Sequence, residues 1–197
     1  LTITNFGTYG NGFVTWPNQP SCEYPLGSGI EHLFDGGLWI GAFRSDDSLG
    51  TNKIGPFVTT GAVDASSVSS RGGGFEFTNS KGSFIQERSS LLTSKFYNPL
   101  GISHQDFKIS FNDTSTVLIG GEPIPEHNPL GVSIDLETYS WNYSYANNFI
   151  IFNYWIKNVS NKYLDSIYVG LWTGPVVRNT NITSPRSGGT FFSYGGN

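Results

Sequence analysis

The sequence predicts an all-β protein, and three observations predict it. Short segments alternate apolar and polar residues with the two-residue period of a strand. Clusters of Gly, Pro and Asn punctuate them. Helical periodicity is nowhere sustained over a full window. The elements follow in order. The amino-terminal "LTITNFG" sets Leu1, Ile3 and Asn5 against Thr2, Thr4 and Phe6, a strand able to complete this molecule's own sheet or that of another copy. In residues 28–43, "SGIEHLFDGGLWIGAF", two apolar-rich runs flank DGG, a tight-turn signal that predicts a hairpin. "GFEFTNSKGSFIQE" predicts a second hairpin with its turn at residues 79–82. "DFKISF" places Phe107, Ile109 and Phe111 opposite Asp106, Lys108 and Ser110, and "VSIDLETY" places Val132, Ile134 and Leu136 opposite Ser133, Asp135 and Glu137. In "NNFIIFNYWIKN" Ile150, Phe152, Tyr154 and Ile156 share one face. Phe149, Ile151, Asn153, Trp155 and Lys157 share the other, which is read as partly covered too. After the turn "NVSNK", Ile167, Val169 and Leu171 repeat the pattern in "SIYVGLW". Together these predict an antiparallel β-sandwich of jelly-roll or immunoglobulin-like (supersandwich) type, with about a dozen short strands and little or no helix.

The 197 residues read as a single β-sandwich domain, 1–197, with no repeat and no linker that forces a boundary. The Pro-rich stretch "GGEPIPEHNPLG" is a loop expected to bridge the two sheets. There is no Met, so the chain is expected to begin after a removed leader or to be a piece of a longer product, and its stop just after an aromatic, strand-like segment fits the amino-terminal part of a longer gene product. Charged residues make up only 13% of the chain, and the net charge is -4 without a Lys/Arg cluster. That argues against nucleic acid as a partner. No apolar run is long enough for a membrane-spanning helix. The hydroxyl- and amide-rich, low-charge composition suits a secreted, extracellular protein. The single Cys22 excludes an internal disulfide; it is read as a buried small hydrophobe or as a thiol that pairs between chains.

Several groups of residues invite a chemical reading. Glu31, His32 and Asp35 fall within five positions. Neighbours in a strand point to opposite faces, however, so Glu31 and His32 cannot aim at one ion or substrate. The cluster reads as polar punctuation of a hairpin. His32, His104 and His127 are scattered, and a zinc site would need them to converge in the fold. "RSDDSLGTN" offers Asp46, Asp47 and Asn52 as weak calcium ligands, in a loop that reads more simply as a solvated turn. No nucleophile elbow or phosphate loop is present. Glu76, Glu87, Asp135 and Glu137 are candidate carboxylates for glycoside hydrolysis only if two of them meet across a cleft. Trp16, Trp141 and Tyr143 are candidates for stacking on sugar rings, against the simpler reading that they pack across strands. Four N-x-S/T sequons, at Asn112, Asn142, Asn158 and Asn181, matter only in a glycosylating host.

The segments "SCEYPLGSGIEHLFDGGLWIGA", "IQERSSLLTSKFYNPLGISHQDF", "NPLGVSIDLETYSWNYSYANNFIIFNYWIKNVSN" and "LDSIYVGLW" occur in this order over most of the chain. Through them it resembles a family of large secreted bacterial β-rich surface proteins. Many of these carry a carboxy-terminal sorting domain for the type IX secretion route, and some carry fibronectin-like modules. The resemblance implies export and a surface location; it assigns no catalytic residues. Family members typically continue "YVGLW" with an acidic pair and more Asp. Thr173 and Gly174 stand there in this chain, which weakens a calcium expectation at that place.

The expected function is therefore that of an exported structural or adhesive surface protein, without catalysis, that self-assembles into a filament, sheath or layer. Its expected partners are further copies of itself, other cell-surface proteins or glycans. No cofactor is expected beyond weakly supported calcium. The alternative is a carbohydrate-binding module and, behind it, a glycan-processing hydrolase.

Overall fold

Nine strands run in chain order among the described residues of the computed structural model: β1 (Thr8–Gly10), β2 (Ile30–Ser45), β3 (Lys53–Thr60), β4 (Ile85–Arg88), β5 (Gln105–Asn112), β6 (Val132–Ser140), β7 (Ile151–Asn158), β8 (Tyr163–Asn179) and β9 (Thr190–Phe191). The structure describes residues 1–12, 19–47, 49–62, 75–78, 85–117, 121, 123–182 and 190–191. All strand pairs are antiparallel. One sheet has the order β1-β2-β8-β9 with β3 also on β2; the other has the order β4-β5-β6-β7. The strands are fewer than a dozen because β2 and β8 are long, at 16 and 17 residues. No helix among the described residues is long and apolar enough to cross a membrane.

The hairpin expected at DGG is not formed: residues 30–45 are one continuous strand. The glycines answer to packing instead. Gly36 and Gly37 are absent from the positions of positive φ that a tight turn would demand. A Cβ on Gly36 would lie 2.2 Å from the Tyr9 ring, and one on Gly37 would lie 2.4 Å from the Ala62 amide nitrogen. Glycine here admits close neighbours rather than turning the chain.

The two sheets face each other across one core. Leu38, Ile40 and Ala42 of β2 meet Ile109 and Phe111 of β5 and Val132, Ile134 and Leu136 of β6, with Phe77 and Leu130 between them. The Phe77 and Phe111 rings meet edge-on at 5.3 Å. The inward sets of β5 and β6 are those the alternation predicts. Segment 75–78 crosses between the sheets: Glu76 N donates to the Thr60 carbonyl, and Thr78 and Asn112 exchange backbone bonds of 2.7 and 3.0 Å. The turn expected at residues 79–82 lies outside the described residues. β4, its expected partner strand, pairs with β5. The loop ahead of β6 also ties the sheets together, because Arg44 Nη1 of β2 donates to the Pro129 carbonyl at 2.8 Å.

The amino-terminal segment completes its own molecule. Thr2 N donates to the Ser21 carbonyl, Gly10 N donates to that of Thr2, and Ile3 packs against the core. On β7, Phe152, Tyr154 and Ile156 lean on the core, whereas Ile151 and Trp155 on the opposite face are exposed rather than covered. β8 departs further from expectation. Leu171 pairs with Leu38 and Val169 with Ile40, so the row Ile167, Val169 and Leu171 projects on the core side of the sheet. Yet these residues are 53%, 55% and 58% exposed. Alternation tells which face a side chain takes, not whether anything meets it there.

Candidate functional site

Buried carboxylates are the first chemistry-bearing groups, and each is already engaged. Asp113, wholly buried, accepts from Leu130 N and Val132 N at 2.7 Å and from the Thr59 hydroxyl at 2.9 Å. Asp106, equally buried, accepts from Ile102 N, Ser103 N and the Ser103 hydroxyl, with Arg88 3.9 Å away. Glu31 accepts from Ser21 N at 3.0 Å and Cys22 N at 2.6 Å. His32, its neighbour, is exposed on the other face with Nε2 at the Tyr24 carbonyl. Glu76 accepts from Thr60 N and its hydroxyl, and one of its oxygens lies 3.7 Å from His127 Nδ1. These acids fasten loops to strands, as buried anions must if they are to be satisfied. Burial pushes the Cys22 thiol pKa up, which disfavours the nucleophilic thiolate.

The remaining candidate carboxylates lie on sheet faces. Glu87 accepts from the Gln105 amide and Asp135 from the Ser110 hydroxyl. Glu137 is shared among Arg88, Lys108 and the Tyr139 hydroxyl. Among the described residues no three His, Cys, Asp or Glu side chains gather as a metal site would require, and His32, His104 and His127 have separate partners. In the loop after β2, Asp47 accepts from Leu49 N, Thr51 N, the Thr51 hydroxyl and Asn52 N. The Thr51 hydroxyl first, then these amides, hold its carboxyl well below the usual carboxylate range. Asp46 pairs with Lys162 and lies 3.7 Å from Arg44. Asn52 joins through its backbone N–H. The Asp47 carboxylate thus closes the loop on itself.

One end of the second sheet gathers aromatic and aliphatic side chains. Tyr143 stacks on Tyr145 at 5.3 Å with 9° between planes, and the His104 ring meets Tyr143 edge-on at 4.5 Å. Tyr145 is 78% exposed. Trp141 is half-buried beside Phe149, whereas Trp16 lies outside the described residues. Beside them runs the loop between β4 and β5, "SSLLTSKFYNPLGIS", which exposes Leu92, Tyr97, Leu100 and Ile102. This loop is built firmly. Ser89 and Ser90 hydroxyls donate to the His104 and Ser103 carbonyls, Asn98 N donates to Ser89, and Asp106 takes Ile102 N and Ser103 N. Ser140 N donates to the Ser103 hydroxyl, joining the loop to the Tyr143 segment. Sequence reasoning singled out Trp141 and Tyr143 but not this loop, because its apolar residues follow no period. The available signal was the number of large apolar residues in a stretch rich in turn formers.

No family model, no curated protein and no solved structure matches this chain.

Proposed function

We propose that the protein is an exported structural or adhesive module of a bacterial cell surface, working by contact rather than catalysis and self-assembling into a filament, sheath or layer. The observation that carries the reading is the firmly hydrogen-bonded loop that holds Leu92, Tyr97, Leu100 and Ile102 in solvent. Large exposed apolar patches mark interaction surfaces. The low-charge composition and the resemblance carried by "SCEYPLGSGIEHLFDGGLWIGA" support export. The test is the mass of the native exported protein by light scattering after gel filtration, with and without a calcium chelator. A species much larger than the 21.6 kDa chain is expected. A monomer at every concentration overturns the reading, and a fall in mass on chelation would add calcium to it.

A second reading, carbohydrate binding, is favoured by the flat Tyr143–Tyr145 stack, whose geometry suits a sugar ring laid on Tyr145. Tyr145→Ala should abolish retention of the protein on polysaccharide gels if this holds; equal mobility with and without every glycan tried removes it.

A further inference from the structure

We propose that β8 is the strand through which two copies of this chain join, edge to edge and antiparallel, into one continuous sheet. The inference deepens the self-assembly reading and rests on it.

The other sheet edges are shorter or broken by charge and proline, and their longest run free of both, Ile151–Ile156 of β7, is six residues. β3 carries Lys53 and Pro56, β4 is four residues long with Glu87 and Arg88, β7 carries Lys157, and β1 has three residues. Charges, prolines and shortness are the means by which edges refuse an added strand. From Ser166 to Gly174 β8 reads "SIYVGLWTG", with no charge and no proline. One side of it pairs with β2, and no described strand pairs with the other side over these residues. That outer edge accepts a strand further along, where β9 pairs antiparallel at Val176↔Phe191 and Val177↔Thr190. The same stretch exposes Ile167, Val169 and Leu171 toward the core side and Tyr168 on the opposite face. An added strand would find apolar cross-strand partners on both faces of this stretch.

The sequence of β8 favours a second copy as that neighbour. Gly170 is the midpoint of 166–174. An antiparallel pairing about a two-fold axis beside it sets Val169 against Leu171 of the second copy on the core side. On the other face it sets Tyr168 against Trp172 of the second copy, and the two Gly170 residues meet at the axis. Aliphatic meets aliphatic and aromatic meets aromatic, the cross-strand pairs that stabilise sheets. No like charges are opposed. Such an interface is isologous and closes as a dimer. A longer polymer would need a second surface, for which the apolar side chains exposed by the loop between β4 and β5 are available.

The test uses the whole chain in three forms: unchanged, Val169→Lys, and Gly170→Cys in a Cys22→Ser background. Sedimentation equilibrium should show self-association in the first and association about tenfold weaker in the second, because a charge would then be set against Leu171 of the second copy in place of an apolar pair. Gly170→Cys should give a covalent dimer on mild oxidation; a Cβ at Gly170 meets nothing within 4 Å, so this form folds as the parent does. Should Val169→Lys lose its circular dichroism, the cysteine form decides alone. If the unchanged chain associates but neither variant behaves as stated, this inference is wrong and self-assembly through another surface stands. If the unchanged chain is monomeric throughout, both fall together.

Discussion

Asp113 has no solvent exposure, yet it accepts three hydrogen bonds from a loop and two strands. Removing the carboxylate strands three donors in the core, and one unsatisfied buried group alone costs about 1–3 kcal/mol. Asp113→Ala should therefore lower stability by about 3 kcal/mol or more, read as a fall in urea midpoint with an unchanged slope. Asp113→Asn, which keeps one acceptor oxygen, should recover part of it. A loss below about 1 kcal/mol would mean the donors find other partners. Asp47 shows the same chemistry at the surface, where acid titration reports on it. Its carboxyl is depressed in the folded protein, so its contribution is present above the unfolded value near 3.9 and is lost as pH falls through the lower folded one. The amide signals of Leu49, Thr51 and Asn52 should shift together on acidification, with a midpoint below about 3.9. A midpoint at or above that value would show that the turn is not held by the carboxylate. At this scale the sequence was legible where geometry is local: Glu31 and His32 do face opposite ways. It was not legible for Glu76, whose donors at Thr60 lie 16 residues away, because burial of an acid depends on loops arriving from elsewhere.

Elements tell a parallel story. β5 and β6 were readable because each is a short strand between polar segments with one face on the core. β2 was misread because DGG carries the same letters whether glycine turns a chain or makes room for one. Gly36 and Gly170 separate the two cases by experiment, since both sit within paired strands. Gly36→Ala drives a methyl to 2.2 Å from the Tyr9 ring, whose hydroxyl is anchored to the Trp172 carbonyl at 2.6 Å. The ring cannot swing aside without breaking that bond. A loss of about 2–3 kcal/mol is expected from such overpacking. Gly170→Ala meets open space and should change stability by no more than about 0.5 kcal/mol. Equal thermal midpoints for the two variants would mean that β2 relaxes around Gly36 and that its glycines are not there for packing.

On the scale of the whole molecule, the sheets cover each other over β2, β5 and β6, while β7 and β8 extend apolar rows only partly met by the opposite sheet. The alternation of Ile167, Val169 and Leu171 announced a buried row, and a lone copy does not bury it. Whether a row is covered depends on the width of the opposing sheet, a property no local pattern contains. Amide hydrogen exchange along β8 tests this directly. In dilute protein the amides bonded to β2 should be protected and those on the outer edge from Ser166 to Gly174 should exchange fast, giving a two-residue alternation. Raising the concentration should slow the fast set and leave the slow set unchanged, because an added strand supplies acceptors only on the open side. Uniformly fast exchange along β8 would mean that β2 does not hold it. Uniform protection in dilute solution would mean that the chain itself already covers the edge, and no second copy would be needed there.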